Sequence, residues 1–134
     1  MTDPYVPMDR KKIQKDTAVA GNVDTILTVP AGERWLLLNV AIKLTTDATV
    51  VNRYPALHVR DVADVEKFVS VASAIATSTT TSRFWSRELS TKATDLNALG
   101  FQLLDPTEDI ALKIASGVVG DAYDYLVEYL KVEI

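Results

Sequence analysis

The stretch "TVPAGERWLLLNVAIKL", residues 28–44, sets a tight polar corner directly before a long apolar run. Pro30 presets a turn conformation and Gly32 can adopt a positive φ, so the corner predicts a hairpin turn. Trp35 follows at the entrance of the run, where its ring can cover one end of a β-sandwich. The run alternates between two faces and predicts a long central strand whose second face is partly covered. The faces are Leu36, Leu38, Val40, Ile42 and Leu44, and Trp35, Leu37, Asn39, Ala41 and Lys43.

Further short segments share this β-strand composition, being rich in Val, Ile, Thr and aromatic residues. Turn residues separate them, including Gly21-Asn22 and Asp105-Pro106. About seven or eight such strands predict an all-β fold, an antiparallel β-sandwich that is jelly-roll-like. Only residues 90–100 look weakly helical. The strand segments are residues 23–29, 56–61, 66–73, 75–85, 108–116 and 123–134, with residues 11–20 as a possible addition.

The composition is that of one ordinary globular domain. The chain has 134 residues, of which 48% are hydrophobic and 24% are charged. It contains no cysteine, so the fold depends on packing without disulfides or thiolate chemistry. It has no apolar run long enough to span a membrane and no basic-then-apolar leader, so we expect a soluble chain with no membrane partner.

The charge is unevenly distributed over a net value of −4, with a basic beginning and an acidic final third. The overall acidity argues against nucleic acid as a partner. Pro4 and Pro7 disfavour regular structure, so we expect residues 1–15 to form an extended arm and residues 16–134 to form the single β-sandwich domain. The arm is predicted to contact a neighbouring subunit, and the alternative is a frayed terminus. Its candidate contact residues are Tyr5, Val6, Met8, Arg10, Lys11 and Lys12.

The sequence offers little for catalysis or metal binding. His58 is the only histidine, which excludes a metal cluster built on several histidines. The acidic turn "DPTED", residues 105–109, has the alternating oxygens of a calcium loop but lacks the glycine and the distal glutamate of an EF-hand. Asp121 and Asp124 could form the paired carboxylates of a glycosidase only if the fold brought them together with a suitable spacing. We therefore expect a protein that is not an enzyme, with no catalytic residue, no cofactor and no metal.

Two aromatic segments are candidates for protein contact. Phe84 and Trp85 are adjacent in a strand, so they point to opposite faces and one of them must face away from the core. An exposed aromatic residue beside arginines is typical of protein–protein contact centres. The last strand is apolar on both faces, which predicts a second sheet on one side and a neighbour on the other. The candidates are Arg83, Phe84, Trp85, Arg87, Tyr123, Tyr125 and Tyr129.

Two parts of the chain resemble small virion proteins of tailed bacteriophages. Residues 29–61 have a proline-alanine-glycine corner, a tryptophan, an apolar strand, a Thr-rich turn and an Asn-Arg pair before the next strand. Residues 117–134 are similar to the closing Gly-Asp turn and aromatic-rich final strand of such proteins. The resemblance points to virion structural proteins, especially capsid decoration (cement) proteins, and it supplies no catalytic residues.

The resemblance implies a capsid-surface protein of the virion, made in the host cytoplasm, that binds itself and the lattice of the major capsid protein. Decoration proteins commonly lie at local three-fold positions, so a homotrimer is favoured among the possible oligomers. A head–tail connector or a tail-associated subunit is the alternative of the same kind. A carbohydrate-binding β-sandwich is the alternative of another kind, and a groove lined by Trp35 or Trp85 beside carboxylates would distinguish it.

Overall fold

The computed structural model describes residues 8–87 and 96–133, and this part of the chain is built from ten strands joined by turns. It contains no helix that could cross a membrane. The strands are β1 Met8–Ala20, β2 Thr25–Thr28, β3 Glu33–Thr45, β4 Tyr54–Arg60, β5 Glu66–Val71, β6 Thr80–Ser86, β7 Leu96–Ala98, β8 Leu103–Leu104, β9 Asp109–Ala115 and β10 Ala122–Glu133. Eight of the strands have four or more residues, and β7 and β8 are shorter.

The strands form two sheets. The six-stranded sheet has the order β1-β10-β3-β6-β7, with β8 beside the beginning of β3, and the four-stranded sheet has the order β2-β9-β4-β5. The pairs are nested along the chain, because β1 pairs with β10, β2 with β9, β3 with β6, and β4 with β5. The all-β prediction with two sheets is confirmed. One pairing departs from the predicted antiparallel pattern, since β6 and β7 run parallel.

The opening corner and the extent of β3 follow the sequence prediction, but the predicted faces of β3 are wrong before one residue, Leu38. Gly32 has a φ of 85°, and β3 begins at the next residue, as the hairpin corner requires. Opposite β10, however, Leu37 pairs with Tyr129 and Asn39 with Glu128, so Leu38 is an extra residue in a β-bulge. A bulge reverses the alternation. The core residues of β3 are therefore Trp35 and Leu37 before the bulge and Val40, Ile42 and Leu44 after it, and the prediction that Leu36 and Leu38 share the face of Val40 is wrong.

The core lies between the two sheets. It contains large side chains with less than 2% of their surface exposed, which both sheets and the connecting loops supply. Among the described residues, Tyr123 of β10 and Trp85 of β6 are the two completely buried aromatic residues. The other large buried apolar residues are Leu37, Ile42, Leu44, Leu57, Ile75, Leu99, Leu104, Ile110 and Leu112.

Two boundaries differ from those expected. Residues 8–15 belong to β1, which runs without interruption through the predicted junction between arm and domain, and Ile13 packs against the core. A strand forms there because the unpaired edge of β10 accepts it, whereas Pro4 and Pro7 lie before it, outside the described residues. Residues 96–98, in the segment that looked weakly helical, form β7. The rest of that segment up to residue 95 lies outside the described residues.

Candidate interaction face

The outer face of the six-stranded sheet carries a line of apolar side chains across four strands. Residues that are directly opposite each other on paired strands point to the same side of a sheet. The register aligns Leu126 of β10 with Ala41 of β3, Ala41 with Phe84 of β6, and Phe84 with Leu96 of β7. We call these four residues the apolar row. It runs perpendicular to the strands, opposite to the core.

The apolar row is open to solvent. Phe84 is 41% exposed and Leu96 is 36% exposed, although both are large hydrophobic residues. A groove of about 290 Å³ follows the row, and its polar lining includes Asn39 and Glu128. A large aromatic side chain exposed within such a groove marks a surface suited to contact with another molecule.

Polar side chains border the row on both sides. On one side Lys12 lies opposite Glu128, and Glu128 lies opposite Asn39. Glu128 accepts hydrogen bonds from Nη2 of Arg10 at 3.0 Å and from Nδ2 of Asn39 at 3.5 Å. On the other side Asp124 lies opposite Lys43. An apolar centre with a polar rim is the usual anatomy of a protein interface. We call the row and these borders the candidate face.

The structure separates the predicted contact residues in β6 and directly after it. Phe84 lies on the candidate face. Trp85 is completely buried, and its Nε1 donates to Oγ of Ser70 at 2.8 Å, so it is a core residue. Arg83 is only 5% exposed because its guanidinium donates to the carbonyl oxygens of residues 73, 74 and 82. Arg87 is exposed, with its Cζ 5.7 Å from the ring centroid of Phe101.

The tyrosines of β10 face the core and not a neighbour. Tyr123 is 1% exposed, Tyr125 is 9% exposed and Tyr129 is 8% exposed, so all three are corrected from contact candidates to core residues. The hydroxyl of Tyr123 donates to the carbonyl of Val23 at 2.7 Å. Burial raises the pKa of both Tyr123 and Tyr129. Alternation then places the smaller residues of β10, including Leu126, on the outer face.

Trp35 is also a core residue. It is 3% exposed and stacks on Tyr129 with 4.1 Å between the ring centroids and 25° between the planes. Its Nε1 donates to Oε1 of Glu33 at 3.2 Å, which satisfies the polar end of the indole. Trp85 borders the groove of the apolar row but is completely buried, so neither tryptophan ring is exposed to solvent.

The basic candidates of the predicted arm lie on the edge strand β1. Arg10, Lys11 and Lys12 are exposed, and Arg10 pairs with Glu128 of the adjacent strand. The attraction between the basic beginning and the acidic final third is thus made within one chain. Met8 begins β1 opposite Val132. Tyr5 and Val6 lie outside the described residues.

A buried ion-pair network closes one end of the sandwich. Arg53 is completely buried, and its guanidinium contacts Asp121 through Nε and Nη2, each at 3.0 Å. Nη2 also donates to Oδ1 of Asp47 at 2.8 Å, and Nη1 donates to the carbonyl of Val51 at 2.6 Å. The network therefore joins the loop before β4 to the loop before β10. It leaves no hydrogen-bonding position of Arg53 open for a ligand.

The ionised form of Asp121 is stabilised in this network. Burial alone raises the pKa of Asp121, but hydrogen bonds from the amides of Asp47 and Val118, together with Arg53, outweigh it. The net effect lowers the pKa of Asp121 below its ordinary value. The arrangement is that of a structural clamp, because its two completely buried charges, those of Arg53 and Asp121, neutralise each other.

The residues considered for chemistry do not converge. Asp124 lies on the candidate face while Asp121 is buried in the clamp, so they do not form paired carboxylates. In the acidic turn, Asp105 pairs with Arg34, and Asp109 forms a bidentate pair with Arg60. Nδ1 of His58 lies 3.0 Å from Oε1 of Glu66. Among the described residues, no three histidine, aspartate or glutamate side chains lie close enough to hold a metal ion.

The sequence reasoning missed two features. In the sequence, Arg53 stands out only as part of an Asn-Arg pair, and Asp121 only as part of a Gly-Asp turn and as one acid of a possible carboxylate pair, so their mutual contact was not predicted. Arg53 lies in residues 29–61 and Asp121 lies in residues 117–134, the two segments that resemble phage proteins, and this was the signal that could have drawn attention to them. Leu126, Ala41 and Leu96 were not singled out, because their alignment depends on a register across strands that are far apart in sequence.

Comparisons with known proteins leave the family open. No family model and no curated protein matches the chain. A solved structure described as Bacillus endospore appendages that form disulfide-linked pili is similar over 100% of this chain and 95% of its own, with a TM-score of 0.45 and 9% identity. The structure of infectious bursal disease virus strain Gx is similar over 98% of this chain and 35% of its own, with a TM-score of 0.35 and 10% identity. Similarities of this size do not establish a common function.

Proposed function

We propose that this protein is a structural subunit of a bacteriophage virion, a capsid decoration (cement) protein that binds the head lattice and stabilises it through protein–protein contacts. The observation that carries the proposal is a surface built for protein contact, the candidate face, beside the basic edge of β1. Its exposed Phe84 and Leu96 lie in an apolar groove with a charged rim, which suits contact with protein. The virion setting comes from the resemblance of residues 29–61 and 117–134 to phage proteins.

The proposed fold is a jelly roll. The nested pairing of β1 with β10, β2 with β9, β3 with β6 and β4 with β5 supports it, since rolling up one long antiparallel hairpin produces this order. The short strands β7 and β8 are then an insertion between β6 and β9. Such a fold presents two broad sheet faces and is well suited to contacts on a surface lattice.

The proposed mechanism is contact area, without catalysis. Each copy would bridge capsid subunits and add interface free energy to the shell. We assign the lattice contact to the basic edge of β1, where Lys11 and Lys12 are exposed, together with residues 1–7. An edge rich in lysine resists uncontrolled strand pairing and remains available for acidic partners.

The proposal includes self-association, and the resemblance favours a trimer. The exposed apolar row supports self-association, because a monomer would leave it in water. Sedimentation equilibrium gives the oligomeric state directly. A protein that stays monomeric at every concentration up to about 1 mM would contradict this part, because its self-association would then be weaker than about 4 kcal/mol.

The experiment that tests the function is quantitative mass spectrometry of virions purified from a host that carries this gene. Hundreds of copies per particle support a decoration protein. A few copies per particle would instead indicate the alternative of a head–tail connector or tail subunit, and absence from particles would overturn the proposal. In a binding assay with undecorated heads, Lys11→Glu, which leaves the candidate face unchanged, should bind more weakly than Lys113→Glu, which makes the same change on the outer face of the other sheet.

A carbohydrate-binding module is the less favoured alternative. It was expected to show a tryptophan in a groove beside carboxylates, but Trp85, which borders the groove beside Glu128, is completely buried, and Trp35 is buried as well. A glycan array probed with the protein would revive this alternative if binding were strong and lost in Phe84→Ala, because Phe84 is the exposed aromatic residue beside Glu128.

A further inference from the structure

We propose that the candidate face binds the same face of a second copy around a two-fold axis that runs parallel to the strands, between β10 and β3. This inference rests on the self-association proposed above and names the surface and the contacts. It concerns a contact between two copies only. In an assembly of trimers it would join a copy of one trimer to a copy of the next.

The first argument is the pair of charges beside the apolar row. Lys43 and Asp124 are cross-strand partners on the candidate face. Among the described side chains, neither of them takes part in an ion pair or side-chain hydrogen bond within the chain. Glu128, on the other side of the row, is already satisfied by Arg10 and Asn39. Lys43 and Asp124 are thus one cation and one anion of the same surface that remain available to a partner.

The second argument is geometric. A two-fold axis along the strands reverses the order of β10 and β3 in the second copy, so β10 of one copy faces β3 of the other. Lys43 of each copy then lies opposite Asp124 of the partner copy, and the contact forms twice. The same operation lays Leu126 over Ala41, which sets a large side chain against a small one, as interdigitating sheet faces require.

The third argument is electrostatic. The whole chain has a net charge of −4, so two copies repel each other at long range. The net charge of the candidate face is not negative. Its described charged side chains are three cations and two anions, namely Arg10, Lys12, Lys43, Asp124 and Glu128. It is a surface on which two copies meet without bringing like charges together.

The size of the face sets the strength of the pairing. The proposed axis lays β1 over β6 and β10 over β3, and these four strands, spaced by about 4.8 Å with seven residues of about 3.3 Å each, define a face of roughly 440 Å² per copy. A standard stable interface buries about 800 Å² per partner. We therefore expect a weak pairing that depends on protein concentration and becomes strong only where many copies are held side by side.

The experiment uses two charge reversals in the full chain, Lys43→Glu and Asp124→Lys. Alone, each variant places like charges opposite each other at both symmetric contacts, so its self-association should be at least tenfold weaker than that of the unaltered protein. Mixed at equal concentration, the two variants form opposite-charge pairs at both contacts. Association in the mixture should then be at least tenfold tighter than in either variant alone, when measured by sedimentation and by energy transfer between two labels.

The mixture separates pairing from folding. Any local destabilisation caused by like charges on β3 and β10 is the same in the mixture as in the separate variants, so it cannot produce a gain on mixing. Lys113→Glu mixed with Asp124→Lys is the control. Lys113→Glu keeps both Lys43 and Asp124, so this mixture should associate no more tightly than Lys113→Glu alone. A mixture of the two reversals that associates no better than its components overturns the proposed contact. That outcome leaves the virion proposal intact, since head binding and copy number are measured independently.

Discussion

The carboxylate of Asp121 lies 3.0 Å from both Nε and Nη2 of Arg53, and the side chains of both residues are completely buried. The two residues are separated by 68 positions in the chain. Their bidentate pairing fixes the loop before β4 against the loop before β10. The stability of the fold depends strongly on both partners of a buried charge pair, because loss of one leaves the charge of the other uncompensated.

Substitution of Asp121 by Asn should therefore destabilise the fold substantially. The neutral amide keeps the shape but leaves the Arg53 charge buried without its main counter-ion, and such losses cost about 3–5 kcal/mol. The melting temperature should fall by roughly 10 °C for a domain of this size. Asp124→Asn is the matched control, because it makes the same chemical change on the outer face and should alter stability by less than about 0.5 kcal/mol. Equal melting temperatures for the two variants would contradict the clamp.

The same residue predicts an acid-sensitive component of stability. The pKa of Asp121 is lower in the folded chain than in the unfolded chain, so the folded state favours the ionised form. This contribution is complete above the unfolded pKa of about 4 and is lost as the pH falls through the lower folded pKa. Thermal melts between pH 7 and pH 2 should show the unaltered protein losing its advantage over Asp121→Asn below about pH 4. A constant difference at every pH would argue against this titration.

Two neighbouring aromatic residues should behave in opposite ways. Trp85→Ala empties a buried site and removes the hydrogen bond to Ser70, so it should cost about 3–5 kcal/mol. Phe84→Ala removes a side chain that is 41% exposed and should cost less than about 1 kcal/mol. If the candidate face binds a second copy, Phe84→Ala should nevertheless weaken self-association. Chemical denaturation and sedimentation of both variants check the two halves of this prediction.

The sequence was sufficient for the fold class because alternation and turn residues depend on local chemistry. The corner at Pro30 and Gly32, the long strand after it and the all-β composition were all readable from short segments. The assignment of side chains to the core face or the outer face of a strand depends on pairing as well as on local alternation. The phase of β3 reverses at Leu38, because the bulge depends on how β10 pairs with it, and β10 lies about 90 positions away.

The candidate site was harder to predict for the same reason. Phe84 and Trp85 are equivalent by alternation, and only the packing of the second sheet decides which of them is buried. The tyrosines of β10 looked like contact residues because both faces of that strand are apolar, yet they fill the core and leave Leu126 outside. The clamp could not be derived from Arg53 or Asp121 alone, since neither has a local pattern that identifies its partner.

Gly21 should tolerate no side chain, because it lies against the clamp. A Cβ atom built there would lie 2.8 Å from the carbonyl oxygen of Val118 and would also collide with Cβ of Asp121. Gly21→Ala should therefore cost about 1–3 kcal/mol through overpacking. Gly32 is a useful contrast, since its φ is 85° and nothing lies within 4 Å of an added Cβ. Gly32→Asn should be milder, because Asn tolerates the left-handed region. Denaturant midpoints that rank these two variants in the reverse order would contradict the steric argument.

Truncations at the beginning of the chain should separate the predicted arm from the edge strand. Deleting residues 1–7 leaves β1 complete, so the melting temperature should change little. Deleting residues 1–15 removes the part of β1 that pairs with β10 from Val132 to Tyr125, and it exposes the apolar surface against which Ile13 packs. This longer deletion should lower the melting temperature markedly or prevent folding.

The shorter deletion also tests the proposed lattice contact. If residues 1–7 take part in it, the shortened chain should fold normally but bind undecorated heads more weakly, and the effect should be reproduced neither in self-association nor in stability. The basic residues of β1 remain in this variant, so the remaining binding should still decrease with added salt. Unchanged head binding would restrict the contact to the strand itself, and a large loss of stability would show that residues 1–7 belong to the folded domain.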